Sequence, residues 1–344
     1  DCDALELQEF LPGASIFKSN TQKIIGDPLR SLSLLFPTIM SGIGNFSDKL
    51  KILQLNQQLK KKTLSAIFSE DEQTTLEYLT NFGFSKAIIS DFFNPFFSGI
   101  FLETQLETSS RMFEFVYKMF GESYAAIPKA GIEAIPKQLL SKLTSTTFQY
   151  NTKVASLNDG EIRLENGTQL ESHYTIVASE ASDLISNLKH QSNAWKSCTT
   201  LYFETHNRVI HKRLIGLIPN SDSLINNIFY NSSLKSAIDP QNELLSVTVI
   251  DAQGLSNASL IEAVKKELNE LCGITATNFI KLYNIPRALP KLKDLKYEMM
   301  PSETRLTDRL FLAGDTQLNA SLNAAMISGE RAALGVIASI NSAI

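Results

Sequence analysis

The sequence predicts a mixed α/β protein with a helical subdomain, a strand-rich remainder and a strand–turn–helix near its C-terminus. Three stretches carry this. Arg309-Leu-Phe-Leu-Ala-Gly-Asp315 reads as a short buried strand ending in a turn, and Ser321-Leu-Asn323 opens a helix rich in small residues. The region before residue 126 carries apolar residues at helical spacing, and the region after residue 147 is dominated by short strand patterns.

The chain has 344 residues, enough for two sizeable cores. Hydrophobic residues make up 43% and charged residues 20%, the balance of a folded globular chain. Thirty-two basic against 36 acidic residues give a net charge of −4, which offers no basic face for nucleic acid. Cys2, Cys198 and Cys272 have no CxxC spacing, so neither a disulfide framework nor a zinc site is expected, and a reducing, cytoplasmic setting is the default. The sequence starts at Asp1 with no basic-then-apolar leader, which reads as a fragment of a longer chain.

In order, Pro12-Gly13 is a turn, and the residues after it read as an edge strand. Leu32–Met40 is apolar and broken by Pro37. Gly42-Ile-Gly44 fails as a phosphate loop, because Ser47 occupies the third glycine position and no β-branched strand precedes it. Instead, Ser47 or Asp48 is expected to cap a helix over 49–62, with Leu50, Ile52, Leu53, Leu55 and Leu59 as its apolar stripe. Further helices are expected over 74–79 and 109–120. Between them Phe92, Phe93, Phe96, Phe97 and Phe101 read as core. Two other readings make them a pocket wall for a flat apolar substrate or, joined with Leu32–Met40, a peripheral membrane face.

Gly131 and the prolines beside it lead into a helix over 137–143. Strands follow over 147–157, 161–165, 168–171 and 174–178, with Asn166-Gly167 as a hairpin signal. More strands are expected over 198–205, 225–230, 244–251 and 279–285, then a turn at Arg287–Pro290. Leu260, Ile261, Val264, Leu268 and Leu271 mark a helix that Gly273 stops.

The chemistry concentrates at Gly314–Ala325. Gly314 lets the backbone turn close to a ligand. Asp315 would sit just past the C-terminal end of a buried strand, where open α/β sheets place their ligands. A carboxylate there accepts hydrogen bonds from hydroxyls, and the helix opened by Ser321 offers free N–H groups and a positive dipole end. A ligand with a hydroxyl-rich tail and a polar ring edge suits both. The plain alternative is a strand–turn–helix in which Asp315 is only a local cap. No side chain stands out as a catalytic acid or base, and His173, His206 and His211 read as surface or structural residues.

Arg309–Asp315 followed by Ser321-Leu-Asn323 and Ala325 resembles the C-terminal flavin motif of the amine oxidase superfamily. The likeness continues upstream in the family's order: Pro128-Lys-Ala-Gly131, then Asn151-Thr-Lys-Val154 with its hairpin, then Thr175-Ile-Val-Ala178. Phe92–Gly99 is most similar to the protoporphyrinogen oxidase and phytoene desaturase branch. Ala130, Ala320 and Ala324 stand where that family commonly has glycine, and the chain has no GxGxxG unit.

The resemblance implies an FAD/NAD(P)-binding Rossmann-like domain lacking its first βαβ unit. It implies 1–26 and 195–284 as a substrate-domain sheet, 27–126 as a helical cap, and 127–194 with 285–344 as the FAD domain. Asp315, next to Gly314, would hold the ribityl or pyrophosphate region, and Leu322, Asn323, Ala324 and Ala325, in the helix opened by Ser321, would offer backbone N–H groups to the flavin pyrimidine edge. Gly131 would lie near the isoalloxazine, Val154 would meet the adenine through its backbone, and Ala178 would pass near the dinucleotide. Without the resemblance, core packing is the plain reading for Val154 and Ala178. The implied activity is hydride transfer from an amine or a C–C unit of an apolar substrate to flavin N5. The alternative, suggested by the missing glycine loop, is a non-catalytic fragment or degenerate relative that does not retain FAD.

Overall fold

The computed structural model describes residues 1–19, 21–27, 30–188, 193–234 and 242–342. They form two compact units, each assembled from three stretches of chain: 1–63, 70–144 and 196–288 in the first, and 64–69, 145–195 and 289–344 in the second. Residues 127–144, grouped with the cofactor half on sequence grounds, pack in the first unit, and 64–69 pack in the second.

The first unit is built on a seven-stranded sheet. Its strands are β2 (Gly13–Lys18), β3 (Thr21–Gly26), β9 (Ala194–Thr205), β10 (Ile215–Leu217), β11 (Ile225–Tyr230), β12 (Glu243–Val249) and β13 (Ala276–Lys291), in the order β13-β9-β12-β11-β10-β2-β3. The β10–β2 pair is parallel, whereas β2–β3, β10–β11, β11–β12 and β12–β9 are antiparallel, so the sheet is mixed. β2 is therefore not the edge strand its turn suggested. It lies between its hairpin partner β3 and the sequence-distant β10. The expected turn at Arg287–Pro290 is also absent, because β13 runs through Pro286 and Pro290. β13 is the last strand in the order, the kind of position to which prolines within sheets are confined.

Strand alternation gives the sheet two apolar faces. On one, Phe17, Leu201, Phe203, Val247 and Ile228 pack with Leu260, Val264 and Leu268 of α9 (Asn257–Cys272). Gly273, in the left-handed region at φ 65°, ends that helix as expected. On the other face, Ala14, Ile16, Ile25 and Leu217 meet the helical layer.

That layer contains α1 (Leu35–Met40), α2 (Phe46–Lys61), α4 (Thr75–Asn81), α5 (Lys86–Ile88), α6 (Asn94–Phe101) and α7 (Ser110–Glu122). Phe93, Phe97, Phe101 and Phe113 are fully buried within it, so the phenylalanine run is core, as the residue pattern favours. Phe36 of α1, by contrast, is 72% exposed. The α2 helix is capped by Asn45, not by Ser47 or Asp48: the Asn45 side chain accepts from the Asp48 N–H at 2.8 Å, and Asp48 reaches back to the Asn45 N–H. Leu55 and Leu59 face the core, while Leu50 and Leu53 of the expected stripe are exposed. A short antiparallel pair, β1 (Leu7–Glu9) with β4 (Ala126–Pro128), and the helix α8 (Ala134–Leu140) complete the unit.

The second unit holds α3 (Leu64–Phe68), an antiparallel three-stranded sheet and a parallel pair. The three strands are β5 (Val154–Asn158), β6 (Glu161–Leu164) and β7 (Gln169–Glu171). Extended structure thus starts at Val154 and not at Thr147. The parallel pair is β8 (Thr175–Val177) with β14 (Leu310–Leu312), and α10 (Leu322–Ser342) packs on β14 through Phe311, Ala313, Ala332 and Val336. Among the described residues, no helix is long and apolar enough to cross a membrane.

Candidate cofactor site

The parallel register of β8 and β14 brings their C-terminal ends together, closed by an Ala313 N–H bond to the Val177 carbonyl at 2.9 Å. Ala178 leaves one strand exposed to solvent, and Gly314 leaves the other at φ 121°. A Cβ on Gly314 would lie 3.9 Å from the Ala178 oxygen, so space is not what demands glycine there. The backbone angle is.

Ser328, fully buried on α10, fixes this turn. Its hydroxyl accepts the Gly314 N–H at 2.9 Å and lies 2.8 Å from the Gly314 oxygen and 3.0 Å from the Ala325 oxygen, to one of which it donates. In the sequence Ser328 is one of the small residues of this helix. Its hydrogen-bonding role requires knowing that α10 folds back on the strand end.

Asp315 begins a single 3-10 turn, Asp315–Gln317. Its backbone oxygen accepts from Leu318 and Ala320. Its half-buried carboxylate meets no hydrogen-bond or ion-pair partner among the described residues. A carboxylate that serves as a local cap would be engaged. This one is available to hydroxyl donors from a ligand.

Beyond the turn, the buried Asn319 holds the loop by donating to the Lys296 carbonyl at 2.8 Å and accepting the Ser321 hydroxyl at 2.7 Å. Ser321 caps α10 by accepting the Ala324 N–H at 3.1 Å, and its carbonyl takes the Ala325 N–H. Of the N–H groups expected on offer, those of Ala324 and Ala325 are thus already bonded. Leu322 and Asn323, both exposed, present N–H groups with no acceptor among the described residues. They lie at the positive end of a 21-residue helix.

Gly314, Asp315, Ala178, Ser321, Leu322 and Asn323 therefore share one end of the second unit. Val154 is in the same unit and packs with Leu157, Val177, Ile185 and Leu310, beside a bulge between Val154 and Ser156. Gly131 is in the first unit, at φ 86° in the turn between β4 and α8.

These elements match a known pattern. The family model for flavin containing amine oxidoreductases matches residues 9–337. The chain belongs to that family. Among solved structures of similar fold, an oxidoreductase from Methanosarcina mazei has TM-score 0.70 and 12% identity, covering 95% of this chain and 81% of that one. Putrescine oxidase bound to putrescine has TM-score 0.67 and 14% identity, covering 98% and 84%. A protein from Exiguobacterium sp. 255-15, provisionally assigned as a protoporphyrinogen oxidase, has TM-score 0.65 and 15% identity, covering 98% and 84%. At these identities the likeness speaks for the fold. No curated protein matches by sequence.

One departure from the flavin amine oxidoreductase pattern now has a physical reading. Ala320, standing where the resemblance expects glycine, sits at φ 62° in the left-handed region. A Cβ costs about 1 kcal/mol there. Ala320→Gly is expected to stabilise the chain by up to about 1 kcal/mol in urea denaturation. An unchanged or lower midpoint would mean that the loop is not strained.

Proposed function

We propose that this member of the flavin amine oxidoreductase family holds FAD at the end of its second unit and works as an oxidase or desaturase on an apolar amine or a saturated C–C unit. The observation that carries the reading is the Asp315 carboxylate, without a partner among the described residues, beside the N–H groups of Leu322 and Asn323, likewise without an acceptor there. Acceptor and donors fit the two polar demands of the cofactor. Asp315 takes hydroxyls of the ribityl or pyrophosphate region, and the start of α10 favours the electron-rich pyrimidine edge. Ser328 and Asn319 orient these groups without touching the ligand. When bound, FAD supplies a hydride acceptor, N5, for a C–H next to nitrogen or in a saturated C–C unit.

A second reading, a non-catalytic relative that does not retain FAD, draws on the absence of GxGxxG from the sequence. FAD titration followed by flavin fluorescence separates the two. The proposal expects saturable binding, weakened about tenfold or more in Asp315→Asn, the scale of one hydrogen bond to a charged group. The melting temperature should stay unchanged. No saturable binding, or an Asp315→Asn variant that binds as tightly as the parent, would refute the site.

A further inference from the structure

We propose that the first unit carries a second ligand site, a cationic pocket for a small monoanionic carboxylate with a flat apolar body. The pocket is an open depression of about 440 Å³ beside β1, lined by Glu9, Phe10, Leu11, Arg30, Ser31, Tyr124 and Arg213. That volume falls in the range of small-molecule sites. None of these residues belongs to the candidate cofactor site, so the inference stands apart from the flavin reading.

Backbone bonds bring the lining together. The Phe10 N–H donates to the Ala125 carbonyl at 2.9 Å, next to Tyr124, and the Leu11 N–H donates to the Arg213 carbonyl at 3.1 Å. The Phe10 ring packs 5.1 Å from that of Phe229, which gives the pocket a fixed apolar wall.

Both guanidinium groups are held still without being neutralised. Arg30 donates to the carbonyls of Phe120 and Ser123, the latter at 2.6 Å. It lies 4.5 Å over the Tyr124 ring, and the Tyr124 hydroxyl donates back to the Arg30 carbonyl at 3.1 Å. Arg213 donates to the Ser233 carbonyl at 3.2 Å and weakly to the Glu9 carbonyl at 3.5 Å. Every one of these acceptors is neutral. Neither arginine makes an ion pair among the described residues. A guanidinium has five N–H donors, so each fork keeps donors for a ligand.

Charge and shape narrow the ligand. Two fixed arginines against the single carboxylate of Glu9 leave one net positive charge, which a monoanion balances. A phosphate dianion would leave the lining overcompensated next to Glu9. Planar forks suit a planar carboxylate bidentately, and Phe10, Leu11 and Tyr124 suit an apolar ring attached to it.

Calorimetric titration of the whole chain with benzoate, neutral benzamide and phenyl phosphate tests this. Benzoate should bind saturably, benzamide about tenfold or more weakly, and phenyl phosphate no more tightly than benzoate. Ser31→Glu adds a negative charge at the wall without removing either arginine's anchors. It should weaken benzoate about tenfold with an unchanged melting temperature, and Arg213→Gln should weaken benzoate by at least as much. Benzamide binding as well as benzoate, an unaffected Ser31→Glu variant, or no benzoate binding up to about 20 mM would overturn the site. Preference for phenyl phosphate would overturn the assignment to monocarboxylates.

Discussion

Lys62→Met is expected to destabilise the first unit by about 3 kcal/mol, because it removes the counter-charge of a buried carboxylate. Glu114 on α7 is 1% exposed, and Lys62 donates to both of its oxygens, at 2.7 and 2.6 Å. Lys62 also reaches Glu70 at 2.5 Å. Burial pulls the Lys62 pKa down, but the hydrogen bonds and charges of Glu114 and Glu70 outweigh it and hold the group above the usual lysine range. A raised lysine pKa contributes stability that is complete below the unfolded value, 10.5, and is lost as pH rises through the folded value. Tyr78 acts in the same sense. Burial, then its hydrogen bond to Glu114, push its pKa well above that of free tyrosine, so its neutral form belongs to the fold. The first unit should therefore be alkali-sensitive, and Lys62→Met should lose part of that sensitivity. Urea denaturation at neutral pH checks the magnitude. The double variant Lys62→Met/Glu114→Met should recover most of the loss, since two apolar groups leave no charge stranded. A single variant costing under about 0.5 kcal/mol, the scale of an exposed pair, would mean that Glu114 is solvated.

Gly335→Leu is expected to cost about 3 kcal/mol or to loosen α10 from β14 altogether. A Cβ at this position would lie 2.9 Å from the Pro301 carbonyl oxygen and 3.0 Å from the ring of Phe311. The first is backbone, and the second is a side chain only 1% exposed, so neither neighbour has a cheap way to yield. Alanine brings the same Cβ, but its better helix propensity returns about 1 kcal/mol, so Gly335→Ala should cost clearly less. Ser328 lies two turns earlier on this helix and holds the Gly314 turn. Loosening the helix should therefore weaken flavin affinity together with melting temperature, although residue 335 is far along α10 from Leu322. A Gly335→Leu variant that melts at or above the parent temperature would show that the packing is loose.

What the sequence disclosed follows the range of the interactions involved. The strand, Gly-Asp turn and helix from Leu310 onward were legible because caps, periodicity and turn residues all act within a few positions. The phenylalanine core was legible for the same reason. The position of β2 was not, since it depends on pairing with β10, which no local pattern encodes. Pro286 and Pro290 suggested a turn, because nothing in the sequence says that β13 is a sheet edge. Gly131 was grouped with the cofactor half, yet the chain around it is tied to β1. At the site, Asp315 and the helix start were readable, but the N–H of Ala325 was counted as free although the Ser321 carbonyl occupies it.

The parallel pairing of β8 with β14 also governs how the molecule can be made. Thr175 leaves the ribosome long before Leu310, and the whole of 196–288 is synthesised between them. The first unit already has all three of its stretches when Ala288 emerges, whereas the second must wait for β14 and α10. Until then β8, a strand of Thr, Ile and Val, lacks the strand it pairs with among the described residues and is an open template for wrong partners. Nascent-chain dependence on chaperones should therefore fall on the second unit, and the turn that carries Asp315 is among the last structures to form.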